Sequence, residues 1–291
     1  MIIEALPPEQ QYPALLTDVY NNGAKKQNIQ ETEDRAVFVR TLRFKSRDGY
    51  DFPLTPIRRL PYYRAAGELL WMLRGDTTLA GLHDYGVRWW DNYATPEIQA
   101  RYNLPEGDLG RVYGAQIRRF NAGSSESIDQ LLVVQQSLKE HPEWRRHLIT
   151  LWNPLDATHV YYAPCLTELK FFSAGNKLSL AVTQRSADVP GGVPFDTFEM
   201  GLFLLMMAQA THLQADELVH ILEDTHIYNE QLTQVETLMT REIRPLPRVQ
   251  LQPSTVEFTD IRQFLDLKPE EIFTVENYNP HPTLRIPVSS R

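Results

Sequence analysis

Apolar positions along the chain fall into two kinds of spacing. "PEQQYPALLTDVYNN" carries them at helical intervals and stops before Gly23, so it predicts a first helix. "YRAAGELLWMLRGD" and "SIDQLLVVQQSLKEHP" show the same stripe, the second with Ser127 or Asp129 at its start. "FEMGLFLLMMAQATHL" is apolar all round and predicts a buried helix. "RAVFVRTLRF" alternates with a period of two and predicts a strand. "RRHLITLWN", "TELKFFSAGNKLSLAVTQ" and "RVQLQP" read as strands, with "SAGNK" as a hairpin turn. "KKQNIQETEDRAV" and "WWDNYATPE" read as loops. Strands and helices do not alternate as in a parallel βαβ array, so the pattern predicts an α+β fold around one mixed sheet. No repeat and no Ser/Gly-rich linker interrupts the chain, which predicts one domain over residues 1–291.

Charge narrows the partners. Lys and Arg number 29 and Asp and Glu 37, so the net charge is 29 − 37 = −8. No basic face or tail stands out, which argues against a general nucleic-acid or membrane binder. The start "MIIEALPPEQQYPALL" lacks the basic and apolar regions of a signal peptide. The apolar run near Gly201–Ala210 is too short to span a bilayer. A soluble cytoplasmic protein is expected. The single cysteine, Cys165, excludes a disulfide within the chain and argues against a cysteine metal cluster, so no metal is expected.

Several residues invite chemistry, and each has a plainer reading beside it. Arg145 and Arg146 are adjacent where a strand begins, so their side chains point to opposite faces. They would reach one ligand only at a strand end or across a subunit boundary; otherwise they are a solvated pair. Arg185 and Ser186 end another strand, where a bidentate guanidinium and a hydroxyl suit a phosphate. Cys165 sits where a loop meets a strand, and a nearby guanidinium such as Arg185 would favour its thiolate. The alternative is a buried core thiol. His226 and Tyr228 share a face only if their segment is extended; the plain reading is a structural pair. Glu68 lies among apolar residues, either a helix-surface charge or an acid/base with raised pKa. Tyr113, between Gly110 and Gly114, is placed to project into a cavity.

"FPLTPIRRL", "GELLWMLRGDTTLAGLHDYGVRWWD", "GDLGRVYGAQ", "RRHLITLWNP", "APC", "QRSADVPGGVPF", "DTHIY", "REIRPLPRV" and "NPHP", in this order and spacing, resemble the thymidylate synthases over most of the chain. The resemblance implies one large mixed sheet packed by helices, with the sheet at a homodimer interface. It implies 5,10-methylenetetrahydrofolate as cosubstrate and Cys165 as the nucleophile on C6 of a pyrimidine nucleotide. Glu68 matches the acid/base, Tyr113 the tyrosine near the C5 proton, and Arg185 a phosphate ligand beside the thiolate. Gln184 and Ser186 fall with the nucleotide contacts, and His226 and Tyr228 match those to the deoxyribose. Arg145 and Arg146 match the pair that reaches the other subunit's phosphate. Trp90, Asp188, Gly192 and Phe195, together with Glu68, fall at folate-facing positions.

The chain also departs from that pattern. Asp196 stands where the thymidylate-forming enzymes carry asparagine, and aspartate there resembles the phage deoxycytidylate hydroxymethylases. A carboxyl accepts from cytosine N4 and, when protonated, donates to N3. A neutral carboxyl also pairs with uracil, so Asp196 favours dCMP over dUMP without excluding the latter. Leu166 replaces a histidine after the nucleophile. The family's N-terminal phosphate loop is absent, leaving Lys25, Lys26 or Arg35 as replacement cations. The tail ends in Arg291 rather than a short apolar terminus. Glu168, Glu199 and Glu223 are extra acids near the matched segments. The expected activity is dCMP 5-hydroxymethylation, in a phage-infected cell or another cytoplasm. A dCMP C5-methyltransferase, a thymidylate synthase or dUMP hydroxymethylase, and a noncatalytic nucleotide- or RNA-binding relative are the alternatives.

Overall fold

The computed structural model describes residues 2–27, 33–45, 53–121, 126–252 and 258–287. Six strands form the main sheet: β1 (Ala24–Gln27), β2 (Glu33–Lys45), β3 (Leu148–Thr150), β4 (Leu166–Ala174), β5 (Lys177–Asp188) and β6 (Gln214–Tyr228). Their spatial order is β1-β2-β6-β5-β4-β3. β5 and β6 pair in parallel and every other neighbour pair is antiparallel. The sheet is therefore mixed and the fold α+β, as the pattern predicts. β7 (Arg248–Leu251) and β8 (Phe273–Glu276) form a separate two-stranded ladder.

The parallel β5–β6 pair needs a crossover, and the helix Val193–Ala210 supplies it. That helix is buried along nearly its whole length, which explains why it is apolar all round. It packs on one face of the sheet, where Leu178, Leu180 and Val182 of β5 and Leu218 and Leu222 of β6 are fully buried. His220 shares this face; its Nδ1 lies 3.0 Å from the Thr197 hydroxyl on the helix. Burial lowers the His220 pKa to about 3, so it is neutral and behaves as a core residue. The opposite face is open in this chain, with Phe38 82% and Phe172 64% exposed. The helix Tyr62–Arg74 packs against the central helix and ends at Gly75, which has φ of 77°.

Several expected elements came out differently. "KKQNIQETEDRAV" is not simply a loop: Lys25–Gln27 lie in β1 and Glu33–Val37 open β2, while residues 28–32 lie outside the described residues. All four β1 residues are exposed, so no alternation marks the strand. "WWDNYATPE" contains a 3-10 turn at Asp91–Tyr93 and opens a helix at Pro96. The Thr95 hydroxyl caps that helix. β3 is only three residues long, so Arg145 and Arg146 precede it. Asp129, not Ser127, caps the helix Gln130–Glu140. β6, the longest strand, and β8 went unforeseen; β6 mixes His220, Glu223 and Asp224 into its alternation and so hides it. No helix of the described residues is long and apolar enough to cross a membrane.

Gly67 lets the Tyr62–Arg74 helix approach Tyr85 closely. A Cβ at position 67 would sit 2.4 Å from the Tyr85 Cβ. Gly67→Ala should therefore destabilise the protein by about 1–3 kcal/mol through overpacking, despite alanine's better helix propensity. A urea melt should show a lower midpoint with unchanged slope.

Candidate active site

Cys165 lies in the turn just before β4, and Arg185 of β5 holds that turn. Arg185 Nε donates to the Pro164 carbonyl (2.9 Å) and Nη2 to the Ala163 carbonyl (2.8 Å). Its backbone N–H donates to the Cys165 carbonyl at 2.9 Å. The Cys165 N–H donates to the Tyr113 hydroxyl at 2.8 Å. The thiol itself lies 3.4 Å from the Tyr162 hydroxyl. Burial pushes the thiol pKa up; the contacts with Tyr162 and the Arg185 charge pull it down but do not prevail. The Arg185 charge thus pulls toward the thiolate, but burial outweighs it and the thiol pKa is raised. Leu166, next in the chain, is buried at the start of β4.

Glu68 projects from the Tyr62–Arg74 helix and is held by two indoles. Trp89 Nε1–H donates to Oε2 at 2.7 Å, and Trp90 Nε1–H to Oε1 at 2.5 Å. Burial raises its pKa to about 7, although both indoles oppose the rise. Glu68 is therefore a buried group and not a helix-surface charge. Trp90 is only 7% exposed and packs edge-on against Tyr113 and Tyr162. Trp89 lies beside Phe195, with ring centroids 5.6 Å apart. The Arg58 guanidinium lies 5.4 Å from the same Phe195 ring.

Asp196 sits in the first turn of the central helix, half-buried. Gln184 Nε2 donates to its Oδ2 at 2.9 Å and to the Ser186 carbonyl at 3.0 Å. Gln184 Oε1 is buried with no partner, an acceptor left over. Burial raises the Asp196 pKa to about 7, and the Asp188 charge adds to the rise. Gly192 borders this carboxyl; a Cβ there would come within 3.3 Å of Oδ2. Asp188 accepts from the Gly191 N–H (3.1 Å) and from Gln231 Nε2 (3.2 Å). Burial raises its pKa too. Glu199, one helical turn beyond Asp196, is 2% exposed. Burial, with repulsion from Glu68 and Asp196, raises its pKa well above the usual range.

β6 carries His226 and Tyr228 in extended conformation, so the two share a face, with ring centroids 4.8 Å apart. His226 Nδ1 lies 3.0 Å from the Asp224 carbonyl, and Nε2 is buried without a partner. Burial pushes this imidazole down, but the hydrogen bond to Asp224 and the charges of Asp188 and Asp224 outweigh it and raise its pKa. In the parallel register Ser186 pairs with Asp224 and Asp188 with His226, which brings the end of β5 against this pair.

Other expected residues lie apart. Arg145 and Arg146 are exposed, and Arg146 stacks on Trp144 at 3.9 Å. Within one chain they are not brought to Cys165. Lys26 pairs with Asp224, Lys25 lies 3.7 Å from Glu33, and Arg35 donates to the Tyr20 carbonyl at 2.6 Å. Glu168 is exposed on β4, and Glu223 is half-buried on β6. Arg291 lies outside the described residues. Trp89, Tyr162, Tyr93 and Gln231 join the cluster without having been foreseen. The tyrosines' closeness to Cys165 in sequence, or to Trp90, was the available signal.

Among the described residues no group of three or more His, Cys, Asp or Glu side chains is arranged to hold a metal ion. What the cluster offers is one thiol, several proton-carrying carboxyls and an arginine at the end of a mixed sheet. A family model described as thymidylate synthase matches residues 10–290, nearly the whole chain. That family transfers a one-carbon unit from methylenetetrahydrofolate to C5 of a pyrimidine nucleotide. The chain belongs to the thymidylate synthase family.

Proposed function

We propose that this chain, acting as one domain, is a folate-dependent dCMP 5-hydroxymethylase. The observation that carries the reading is Asp196. Its carboxyl is poised to hold a proton near neutrality, and Gln184 fixes only its Oδ2. Oδ1 has no hydrogen bond among the described residues. A carboxylic acid in that position donates to cytosine N3 and accepts from N4–H₂. Leu166 removes a polar group from the same neighbourhood, which suits an amino group on the base.

Cys165 adds to C6 of the base, and its proton leaves as the thiolate forms. Arg185 stabilises that thiolate electrostatically, and the phosphate binds at Arg185 and Ser186. Glu68, with a pKa of about 7, gives or takes a proton on the C4 side of the base. Tyr113, hydrogen-bonded to the Cys165 N–H, stands beside the C5 proton. His226, with its unpartnered Nε2, and Tyr228 take the sugar hydroxyl. Trp89, Phe195, Asp188 and Gly192 line the folate side, and methylenetetrahydrofolate supplies the carbon when bound. Trp90 supports this wall through Glu68. A pyrimidine mismatched to Asp196 leaves buried polar groups unpaired, which penalises that base steeply and gives the site its selectivity.

Arg145 and Arg146 enter through a homodimer. Both are exposed and reach no ligand within their own chain, and the open sheet face displays Phe38 and Phe172. Pairing two such faces buries these aromatics and brings one subunit's arginines to the other's phosphate site. A second reading is the dCMP C5-methyltransferase. The Trp89–Phe195 wall favours it, because excluding water favours hydride over hydration.

Incubation with methylenetetrahydrofolate and either dCMP or dUMP, followed by mass analysis, should yield hydroxymethyl-dCMP. Turnover of dUMP alone would sink the proposal, and rising dihydrofolate absorbance would select the methyltransferase. Cys165→Ala should abolish turnover with either base. Asp196→Asn should lower kcat/KM for dCMP about 100-fold or more and raise it for dUMP.

The pH profile offers a separate check. The acid form of Asp196 is lost as pH rises through about 7, so kcat/KM for dCMP should fall above that point. Glu68 titrates in the same range, so the falling limb belongs to both groups. A dCMP profile flat between pH 6 and about 9 would rule out a donating Asp196.

A further inference from the structure

Tyr162 is not used by the mechanism above, yet its hydroxyl lies within hydrogen-bond reach of the nucleophilic sulfur, at 3.4 Å. Its position is not incidental. The Tyr162 ring meets the Trp90 ring edge-on at 5.5 Å and the Tyr93 ring at 4.7 Å. Trp90 is itself tied to Glu68. On the other side, Arg185 grips the carbonyls of Ala163 and Pro164, the two residues between Tyr162 and Cys165. Hydroxyl and sulfur are thus held toward each other from both ends of a four-residue turn. A hydroxyl on sulfur also lies near whatever is bonded to the adjacent C5, because C6 and C5 are neighbours in the ring.

We propose that Tyr162 is a further catalytic residue, whose hydroxyl first holds the Cys165 sulfur and then the water that hydrates the C5 methylene. The second half rests on the hydroxymethylase reading. Before attack, the hydroxyl donates to the thiolate. After one-carbon transfer the base carries sulfur at C6 and an exocyclic methylene at C5. Tyr162 then accepts a hydrogen bond from the incoming water and aims its oxygen at the methylene carbon. A carbon–oxygen bond forms, and the methylene π electrons move into the C4–C5 bond and onto N3. The water's surplus proton leaves through the hydroxyl to solvent. The electrons on N3 return, C5=C6 re-forms, and the C6–S bond breaks to release the thiolate. The sequence is redox-neutral and needs only water.

The test uses Tyr162→Phe, which keeps the ring and removes the oxygen, with Tyr161→Phe as a control one residue away. Cys165 is the sole cysteine, so iodoacetamide reports it without interference. Tyr162→Phe should be alkylated about 5–10-fold more slowly at pH 7.5, with the pH profile displaced upward. Tyr161→Phe should match the unmodified protein. With dCMP tritiated at C5, tritium release measures one-carbon transfer and mass analysis measures hydroxymethyl product. Tyr162→Phe should yield severalfold less hydroxymethyl product per tritium released. An unchanged alkylation profile, or an unchanged product-to-tritium ratio, overturns the assignment. If the unmodified protein makes no hydroxymethylated nucleotide, the hydroxymethylase reading fails instead. Alkylation then decides the sulfur contact alone.

Discussion

Arg185 is the fixed point of the cluster. Three hydrogen bonds run from this one residue to the carbonyls of Ala163, Pro164 and Cys165. They tie the end of β5 to the turn before β4, and through Cys165 to Tyr113. Bonds from a charged donor are about twice as strong as neutral ones, and a guanidinium spends two donors here without leaving its plane. Nη1 makes none of these bonds, so it remains for the phosphate that the proposed function places here. A phosphate bound as proposed would meet an arginine already locked beside the sulfur. Lysine, a single-point donor, would have to choose between the turn and the ligand.

The same closure that positions these groups also opposes their ionisation. Cys165, Glu68, Asp188, Asp196 and Glu199 all have raised pKa values, and burial is the first cause in each. The two indoles on Glu68 and the amide on Asp196 recover part of the lost hydration but not all of it. The consequence is a pocket in which Glu68 and Asp196 exchange protons near neutral pH, where free carboxyls are fully charged. The proposed nucleotide, with its phosphate and polar base edge, would enter a site that has not yet committed its protons.

Much of this was legible in the chain. The buried helix, the β4–β5 hairpin and the stripe around Glu68 followed from periodicity alone. The site residues followed from separated motifs resembling one family, not from spacing. What escaped was of two kinds. β1 is exposed on all four residues, so no burial writes itself into its sequence. β6 places His220, a neutral imidazole whose Nδ1 meets Thr197 while its Nε2 is buried without a partner, where a strand reader expects an aliphatic. Tyr162 and Trp89 escaped because an aromatic near a matched motif looks like packing until its polar atom is seen on sulfur or on a carboxylate. The sign at Cys165 was also hidden, because the arginine's pull is visible in sequence while the desolvation that overrides it is not.

Glu199 shows how the helix mouth works as a unit. It follows Asp196 by three residues, so both lie on one side of the helix, and Glu68 approaches from the packed neighbour. Burial raises the Glu199 pKa, and the charges of Glu68 and Asp196 add to the rise. Glu199 is the most deeply buried of them and makes no hydrogen bond among the described residues, so it keeps its proton longest. Holding Glu199 neutral leaves Glu68 and Asp196 to share what remains, both near pH 7. Under the proposed dCMP reading, cytosine would resolve that competition, because its N3 takes a hydrogen bond only from a protonated Asp196. In that reading, base recognition fixes a proton at one end of the pocket and leaves Glu68 to act as base at the other. Asparagine in place of Asp196 would bind a base without moving any proton, so under that reading recognition and acid–base state are one event.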